Sequence, residues 1–369
     1  MSVERQRGVG GHWLWGLTFA ARPSMLEVDS EELPVQHLYT EVAENVFRIT
    51  LPHPCLFATN VYLVRGKSPF LIDSGHYSSA STERLEQALR ALELRLGNIR
   101  YYFLTDIGPD RVGGLLAAQS RTSRRVVADG RARETARDYA DFSREYCAGL
   151  LRPVWEDRNL TARFDRGVLD RLCHQAFRTG GELPVNVPVT KSTVYRVGDR
   201  RIRAIPMPGT SGTHVVYWMP EEKILFSGDL GALGASELPL LHAAAGGSYA
   251  GFRESLAAAW QWNPQLTLPA RGSVGAGGEF ILRRLAHMAS QERDNLRALL
   301  LAGPRSLATL LELMTLGRGL SPARILEKVA TLKTLLDDLV QAEEVEVLYE
   351  DGCWIYRLGW KSLHARASA

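Results

Sequence analysis

Disulfide candidates, long apolar runs and a strong net charge are all missing from this chain of 369 residues. Its four cysteines lie far apart without a CxxC pair, so we expect reduced thiols in a cytoplasmic protein, not a disulfide framework. The formal net charge of +3 is too small to indicate a nucleic-acid or membrane partner by itself. No run approaches the ~20 apolar residues that a membrane-spanning helix needs.

Several catalytic and cofactor-binding motifs are also absent. The chain has no phosphate-binding P-loop and no dinucleotide fingerprint after a strand. Thr210, Ser211 and His214 match the composition of a catalytic triad, but the Gly-x-Ser-x-Gly turn that exposes such a serine is missing. Nucleophilic catalysis by a serine is therefore not expected.

The N-terminal segment, residues 1–38, is interpreted as an arm. Its apolar stretch Trp13–Ala21 imitates a secretory signal, but it is short and broken by Gly16. We expect its aromatic side chains to pack on the body of the protein or on a second subunit, which leaves a homodimer open as one partner.

Alternating and continuous apolar runs predict two strand-rich halves. The helical periodicity of Ser79–Leu96, Val112–Gln119 and Tyr249–Trp262 predicts helices between and after them. Nine short runs bounded by turn residues predict strands: Asn45–Thr50, Val61–Arg65, Phe70–Asp73, Tyr101–Leu104, Thr193–Arg196, Arg201–Pro206, His214–Trp218, Lys223–Ser227 and Gln265–Leu268.

Residues 130–190 differ in composition from the strands on either side. Arg131–Leu151 and Arg163–Phe177 are predicted to be helical and combine charged residues with interleaved aromatics. A solvated helical insertion is one interpretation. A lid or partner surface over a pocket is the other, because long insertions often shape binding sites.

The C-terminal region, residues 286–369, is predicted to be a small helical domain. Pro304–Met314, Ser321–Val329 and Thr331–Gln341 are predicted helices, and a hairpin should turn at Asp351-Gly352. This order resembles a winged helix. Its third helix and hairpin are acidic, whereas a DNA-reading module presents a basic face, so we expect packing or dimerisation instead of DNA binding.

One loop carries the resemblance that organises these elements. Tyr101–Gly114 reads YYFLTDIGPDRVGG, which resembles the metallo-β-lactamase superfamily, whose loop here reads Thr-His-x-His-x-Asp-His-x-Gly-Gly. Further landmarks follow in order across residues 40–285: Asp73 in LIDSG, Pro208-Gly209-Thr210, Asp229 after Ser-Gly, and Arg271 after the last strand. The resemblance implies an αββα sandwich of two mixed sheets flanked by helices, in residues 39–285.

The places where this superfamily carries metal-binding histidines hold other residues. They are Asp106, Gly108, Arg111, Thr210 and Arg271, whereas Asp110 and Asp229 match the superfamily pattern. Arginine has five donors and no lone pair to offer, and glycine has no side chain. The dinuclear metal site that the resemblance implies is therefore not expected, and no metal cofactor is favoured.

Two guanidinium groups would stand where the metal ions normally do. Asp106, Asp110 and Asp229 would repel one another in a shared cleft, so we hypothesise that Arg111 and Arg271 act as structural countercharges. The alternative is that these residues have drifted and point into solvent.

Two functions follow from these alternatives. The favoured one is a non-catalytic binding or regulatory protein, whose pocket of Arg111, Arg271, His76 and His214 would take a small molecule, for instance an anionic one, or a protein. The alternative is a hydrolase of esters, thioesters, lactones or phosphoesters with one zinc, iron or manganese ion. Its ligands would come from Asp106, Asp110, Asp229, His76 and His214, with His242 nearby.

Overall fold

A computed structural model describes residues 38–54, 58–117, 124–177, 182–231, 238–316 and 319–359. They belong to one compact unit that spans residues 36–369. Residues 1–37 of the predicted arm, Cys55 and the last two residues of the helix predicted for Val112–Gln119 lie outside the described residues. Within the described part of the chain, no helix has the length and apolar character needed to cross a membrane.

The first sheet contains seven strands that neighbour one another in chain order. Its first four strands pair antiparallel, and the last four pair parallel. They are β1 (Thr40–Ala43), β2 (Val46–Leu51), β3 (Thr59–Val64), β4 (Phe70–Ile72), β5 (Tyr101–Phe103), β6 (Arg125–Asp129) and β7 (Val187–Val189). Helices α1 (Ser79–Ala91) and α2 (Gly113–Ala117) follow β4 and β5.

The second sheet has six strands in the order β13-β12-β11-β10-β9-β8. Only the pair β11–β12 in it is parallel. Its strands are β8 (Thr193–Val197), β9 (Arg200–Pro206), β10 (Val215–Met219), β11 (Ile224–Gly228), β12 (Leu266–Pro269) and β13 (Gly275–Ala276), with helix α7 (Tyr249–Trp260) before β12. Two mixed sheets with helices confirm the predicted fold class.

Successive side chains of a strand point to opposite faces of the sheet, so one set packs between the two sheets and the other against the outer helices. In β10, Val215 and Tyr217 point into the core between the sheets, while Val216 and Trp218 point to the helices outside. Strands buried on both faces read as continuous apolar runs because helices cover their outer sides. This explains why these strands could be predicted, whereas the exposed edge strand β1 could not.

The insertion between β6 and β7 is helical, as predicted, but its boundaries differ. It contains α3 (Ala132–Thr135), α4 (Tyr139–Trp155), α5 (Arg158–Thr161) and α6 (Arg166–Phe177). The range predicted as helical, Arg131–Leu151, is divided between α3, a short 3-10 turn and α4, which continues to Trp155. The Asp138 side chain accepts a hydrogen bond from Asp141 N, which caps a new helix at Tyr139 and ends the preceding turn.

The described residues of the C-terminal region form three helices and a three-stranded sheet of order β14-β16-β15. Its elements are α8 (Gly278–Leu301), β14 (Arg305–Ser306), α9 (Leu307–Thr315), α10 (Pro322–Gln341), β15 (Val345–Glu350) and β16 (Cys353–Leu358). The predicted interruption at residue 330 was wrong, because buried residues keep the helical period through α10. The hairpin turns at Asp351-Gly352, and the winged-helix interpretation stays a prediction.

The predicted domain boundary between residues 285 and 286 falls inside α8. One apolar core contains residues of β10, α7 and all three C-terminal helices, such as Leu285, Leu310 and Leu335. The division into domains stays a prediction, whereas the shared core brings the C-terminal helices close to the sandwich.

Candidate functional site

Four strand ends bring the candidate residues to one edge of the sandwich. β4 and β5 run parallel in the first sheet, and β11 and β12 run parallel in the second. Parallel neighbours place their carboxyl ends at the same edge, where the loops carry side chains. Asp73, the loop 105–112, Asp229 and Arg271 follow these four strands and meet there.

The Asp73 carboxylate organises the loop after β5. It accepts hydrogen bonds from Thr105 N at 2.8 Å and from Thr105 Oγ1 at 2.6 Å. Burial raises the pKa of Asp73 to about 7, although Arg111 and the Thr105 bonds oppose that shift. The φ of Asp73 is 58°, a left-handed conformation that aspartate tolerates better than most residues. This residue therefore fixes the backbone from which Asp110 and Arg111 project.

Arg111 lies among three carboxylates. Its guanidinium Nη1 is 2.5 Å from Asp110 Oδ2, and its Nη2 is 2.6 Å and 2.7 Å from the two oxygens of Asp229. Its Nε is 3.7 Å from Asp73 Oδ2. The Arg111 side chain is 1% exposed, so little water screens its ion pairs. The lower dielectric constant of the protein interior strengthens their coulombic attraction.

Arg271 supplies a second cation to the same cluster. Its Nη2 is 2.7 Å from Asp110 Oδ2, the oxygen that Arg111 also contacts. Its Nη1 is 2.7 Å from Oε1 of Glu327, a residue of α10. The arrangement is a chain of ion pairs that runs from Asp229 through Asp110 to the C-terminal region.

The two arginines decide the ionisation of Asp110. Burial alone would raise its pKa, but the coulombic attraction of Arg111 and Arg271 outweighs it and holds the pKa well below its usual range. Burial likewise disfavours the charged form of Arg111, and Asp110 and Asp229 outweigh that cost and raise its pKa. Asp110 and Arg111 therefore hold each other in their charged forms.

Asp106 and Gly108 lie outside this chain of ion pairs. Asp106 Oδ1 accepts from Thr213 Oγ1 at 2.8 Å and from the neighbouring Ile107 N at 2.6 Å. A Cβ atom at Gly108 would lie 3.1 Å from Asp110 Oδ1 and 3.9 Å from Tyr146 Oη. Tyr146 of α4 therefore approaches the space toward which a side chain at position 108 would project.

Helix α4 of the insertion directly contacts the loop of residues 105–112, here called the signature loop. The hydroxyl of the buried Tyr139 donates to Ile107 O at 2.6 Å. The carbonyl of Tyr146 lies 3.0 Å from His242 Nε2, and the two rings are 4.3 Å apart. The insertion is therefore packed against the site, as the lid interpretation requires.

His214 is engaged by backbone groups on both ring nitrogens. Asp229 N donates to its Nε2 at 3.2 Å, so the proton is on Nδ1, which faces Met207 O at 3.1 Å. Burial lowers the pKa of His214 despite Asp106 and Asp229, which keeps the ring neutral. This histidine has no lone pair left for a metal ion and no contact that would activate Ser211.

Three further candidate histidines, His53, His76 and His242, do not complete a ligand set. His53 and His76 are buried with ring centroids 4.4 Å apart, and burial lowers the pKa of His242 to about 4. Thr210 is buried, and its Oγ1 has no hydrogen-bond partner in the described part of the chain. The described residues contain no group of three or more His, Cys, Asp or Glu that could hold a metal ion.

The residues at the metal positions do not fit metal ions. Asp110 Oδ2 and both carboxylate oxygens of Asp229 accept from guanidinium groups, and Arg111 and Arg271 have no lone pair to give. Sequence reasoning found these four residues but missed Glu327. The one local indication in the sequence is that Glu327 lies on the apolar face of α10, between Leu326 and Ala330. A carboxylate buried at such a position needs a partner of opposite charge.

Comparisons with known proteins agree with this arrangement of strands and loops. The sequence profile of the Metallo-beta-lactamase superfamily matches residues 56–269. The probable metallo-hydrolase YqjP of Bacillus subtilis (strain 168) is 24% identical over 336 residues, which are 85% of this chain and 97% of that protein.

Two solved structures share the fold at low sequence identity. The metallo-beta-lactamase family protein TTHA1429 from Thermus thermophilus matches with a TM-score of 0.68 and 19% identity, over 85% of this chain and 99% of that one. A beta-lactamase domain protein from Burkholderia ambifaria matches with a TM-score of 0.66 and 19% identity, over 87% and 93%.

Proposed function

Since the chain belongs to the metallo-β-lactamase superfamily, we propose that it is a non-catalytic member that acts by binding, as a regulatory or scaffold protein. The observation that carries this proposal is the Arg111 guanidinium, which lies between Asp110 and Asp229 at hydrogen-bond distance from both. A cation that is part of the chain occupies the space between two carboxylates that match the metal-site pattern of the superfamily.

A guanidinium replaces the charge of a metal ion but not its chemistry. Metal ions in hydrolases lower the pKa of a bound water and polarise the bond under attack. Arg111 and Arg271 cannot accept a lone pair from water. Burial disfavours their charged forms, but the coulombic attraction of the neighbouring carboxylates outweighs it and raises the pKa of both. The cluster therefore supports structure and binding instead of the generation of a hydroxide.

The charge balance of the cluster favours a protein partner over a small anion. Three guanidinium groups, Arg111, Arg271 and Arg324, face the carboxylates of Asp110, Asp229 and Glu327. Asp73, whose pKa burial raises to about 7, lies 3.7 Å from Arg111. Each arginine is paired inside the chain, so an anionic ligand would first have to displace a carboxylate. We propose that the partner is a protein, a second copy of this chain included.

Metal content tests the proposal. Full-length protein is purified without chelator, incubated with Zn²⁺, Fe²⁺ or Mn²⁺, freed of unbound metal and analysed for each element. We expect well below one equivalent, and a melting temperature that a chelator leaves unchanged. The matched positive control restores the superfamily pattern with Asp106→His, Gly108→His, Arg111→His, Thr210→His and Arg271→His, and should gain metal.

One result would support the hydrolase alternative instead. If the native chain retains one equivalent of metal and cleaves a generic thioester or lactone in a chelator-sensitive manner, the non-catalytic proposal is wrong. Metal content and hydrolysis are measured on the same preparation. A metal ion that is bound without any chelator-sensitive hydrolysis is thereby distinguished from a working catalytic site.

A further inference from the structure

Glu327 is a carboxylate that two arginines hold from different parts of the chain. Its Oε1 is 2.7 Å from Arg271 Nη1, and its Oε2 is 2.5 Å from Arg324 Nη1. The side chain is 6% exposed. Arg271 follows β12 in the sandwich, whereas Arg324 and Glu327 belong to the first two turns of α10. Each oxygen is thus matched to a separate guanidinium.

A buried carboxylate is stable only where cations and hydrogen bonds offset its loss of hydration. Glu327 lies on the buried face of α10, beside apolar residues such as Leu326 and Ala330. In the described part of the chain Glu327 forms ion pairs with Arg324, which lies in α10 itself, and with Arg271, which lies outside α10. The pair Arg271–Glu327 therefore connects the C-terminal helix to the cluster around Asp110.

We propose that Arg271 and Arg324 form a carboxylate-binding site that the chain fills with its own Glu327, and that this contact couples α10 to the degenerate site. The inference rests on the proposed function, because Arg271 holds Glu327 and Asp110 in a place that carries a metal ligand elsewhere in the superfamily. The ligand class is a planar carboxylate, whose two oxygens match guanidinium donors.

Other polar residues on the same face of α10 extend this coupling. Thr331 Oγ1 accepts from Leu241 N at 3.1 Å, and Thr334 Oγ1 donates to Leu241 O at 3.0 Å. Asp338 Oδ2 accepts from Ala250 N at 2.5 Å. Residues spaced four, seven and eleven positions after Glu327 face the same side of a helix. This polar stripe attaches α10 to the chain that follows the Asp229 loop.

Chemical rescue of Glu327→Gly tests the site in the full chain. The variant loses the carboxylate and leaves a space between the two guanidinium groups. Sodium formate should raise its melting temperature by about 2–3 °C at roughly ten times the dissociation constant, relative to sodium chloride of equal ionic strength. The double variant Glu327→Gly with Arg271→Ala should show no such difference between formate and chloride.

The matched control is Glu312→Gly on α9. It removes a helical carboxylate that pairs with Arg163 on the surface, where both side chains are about half exposed. Its melting temperature should respond equally to formate and chloride. If Glu327→Gly also responds equally, or if the double variant keeps the formate response, the carboxylate site is overturned.

An isosteric variant covers the case in which Glu327→Gly does not fold. Glu327→Gln keeps the volume of the side chain and removes its charge. We expect hydrogen exchange of the amides in the first two turns of α10 to accelerate at least about tenfold through local opening, with α1 unchanged. Unchanged exchange in α10 would overturn the coupling. Metal content is measured separately from the formate response. If Glu327→Gly does not respond to formate but the native chain binds no metal, the carboxylate site is wrong and the proposed function is unaffected.

Discussion

At the scale of single residues, the buried Asp110 keeps its charge because two cations share its Oδ2 oxygen. An isolated carboxylate at this depth would take up a proton instead of remaining ionised. Arg111 and Arg271 each lie within 2.7 Å of that oxygen, and each also pairs with a second carboxylate. Removing Arg111 therefore leaves the buried Asp110 and the partly buried Asp229 short of a partner.

Replacing Arg111 with leucine should be strongly destabilising. Asp110 and Asp229 would lose their shared cation in a shielded site, and breaking a buried pair on one side costs roughly 3–5 kcal/mol. Urea unfolding followed by circular dichroism measures the loss. The control Arg90→Leu removes an exposed partner of Glu86 and should change stability by less than about 0.5 kcal/mol. Equal effects of the two changes would show that the cluster is not a stabilising network.

His242 makes the stability of the protein sensitive to acid. Burial lowers its pKa from 6.5 to about 4, despite the bond to Tyr146 O. Between these values the unfolded chain binds a proton that the folded chain refuses, so the stability that His242 contributes is complete above pH 6.5 and is lost as the pH drops toward 4. The contribution of this residue over that window is about 3 kcal/mol. The raised pKa of Asp73 acts in the opposite direction over the same range.

Unfolding free energies measured between pH 7 and pH 4 check this prediction. In His242→Gln, which keeps a donor for Tyr146 O, the dependence on pH should become less steep across the window. The exposed His287 provides the matched control, since His287→Gln should retain the native slope. A native slope in His242→Gln would contradict the assignment.

At the scale of elements, α4 connects the insertion to the signature loop through one buried hydroxyl. Tyr139→Phe would leave the Ile107 carbonyl without its donor, which should cost about 1–2 kcal/mol in chemical unfolding. Tyr349→Phe is the matched control, because its hydroxyl donates to Glu156 O on an exposed surface and its loss is expected to cost little. If both changes are equally mild, α4 is not held on the loop by this bond.

Some strands and helices can be predicted from a single sequence, whereas others cannot. Buried strands such as β3 and β10 are predicted by continuous apolar runs, and the order of loop motifs assigned them to the sandwich. β6 and β7 were missed, because each is short and lies beside a charged helical stretch that dominated the pattern. The end of α3 depends on one capping side chain, Asp138, which periodicity does not reveal.

The site was predictable only as far as local motifs extend. Asp110, Arg111, Asp229 and Arg271 each follow a strand, and the resemblance placed them together before any geometry was known. Glu327 carries no such motif. Its partner Arg271 lies 56 residues away in the chain, and only the packing of α10 against the sandwich brings their charges together.

At the scale of the whole molecule, the C-terminal helices share their core with the sandwich. Leu335 of α10, Leu285 of α8 and Leu256 of α7 belong to one cluster of buried residues, which also contains Val216 of β10. A region that folds independently has its own core, whereas these helices bury their apolar faces against the second sheet and its helix. The C-terminal region should therefore not unfold before the rest.

Calorimetry of the full chain should show one cooperative transition, with a calorimetric to van't Hoff enthalpy ratio of about one. Leu335→Ala tests the coupling, because a cavity in α10 costs about 2–5 kcal/mol and should shift that entire transition to lower temperature. Leu85→Ala in α1, which lies in the core on the other side of the first sheet, is the matched control and should shift the same single peak. If Leu335→Ala instead separates a second peak while Leu85→Ala moves only the first, the C-terminal region is a domain with its own stability.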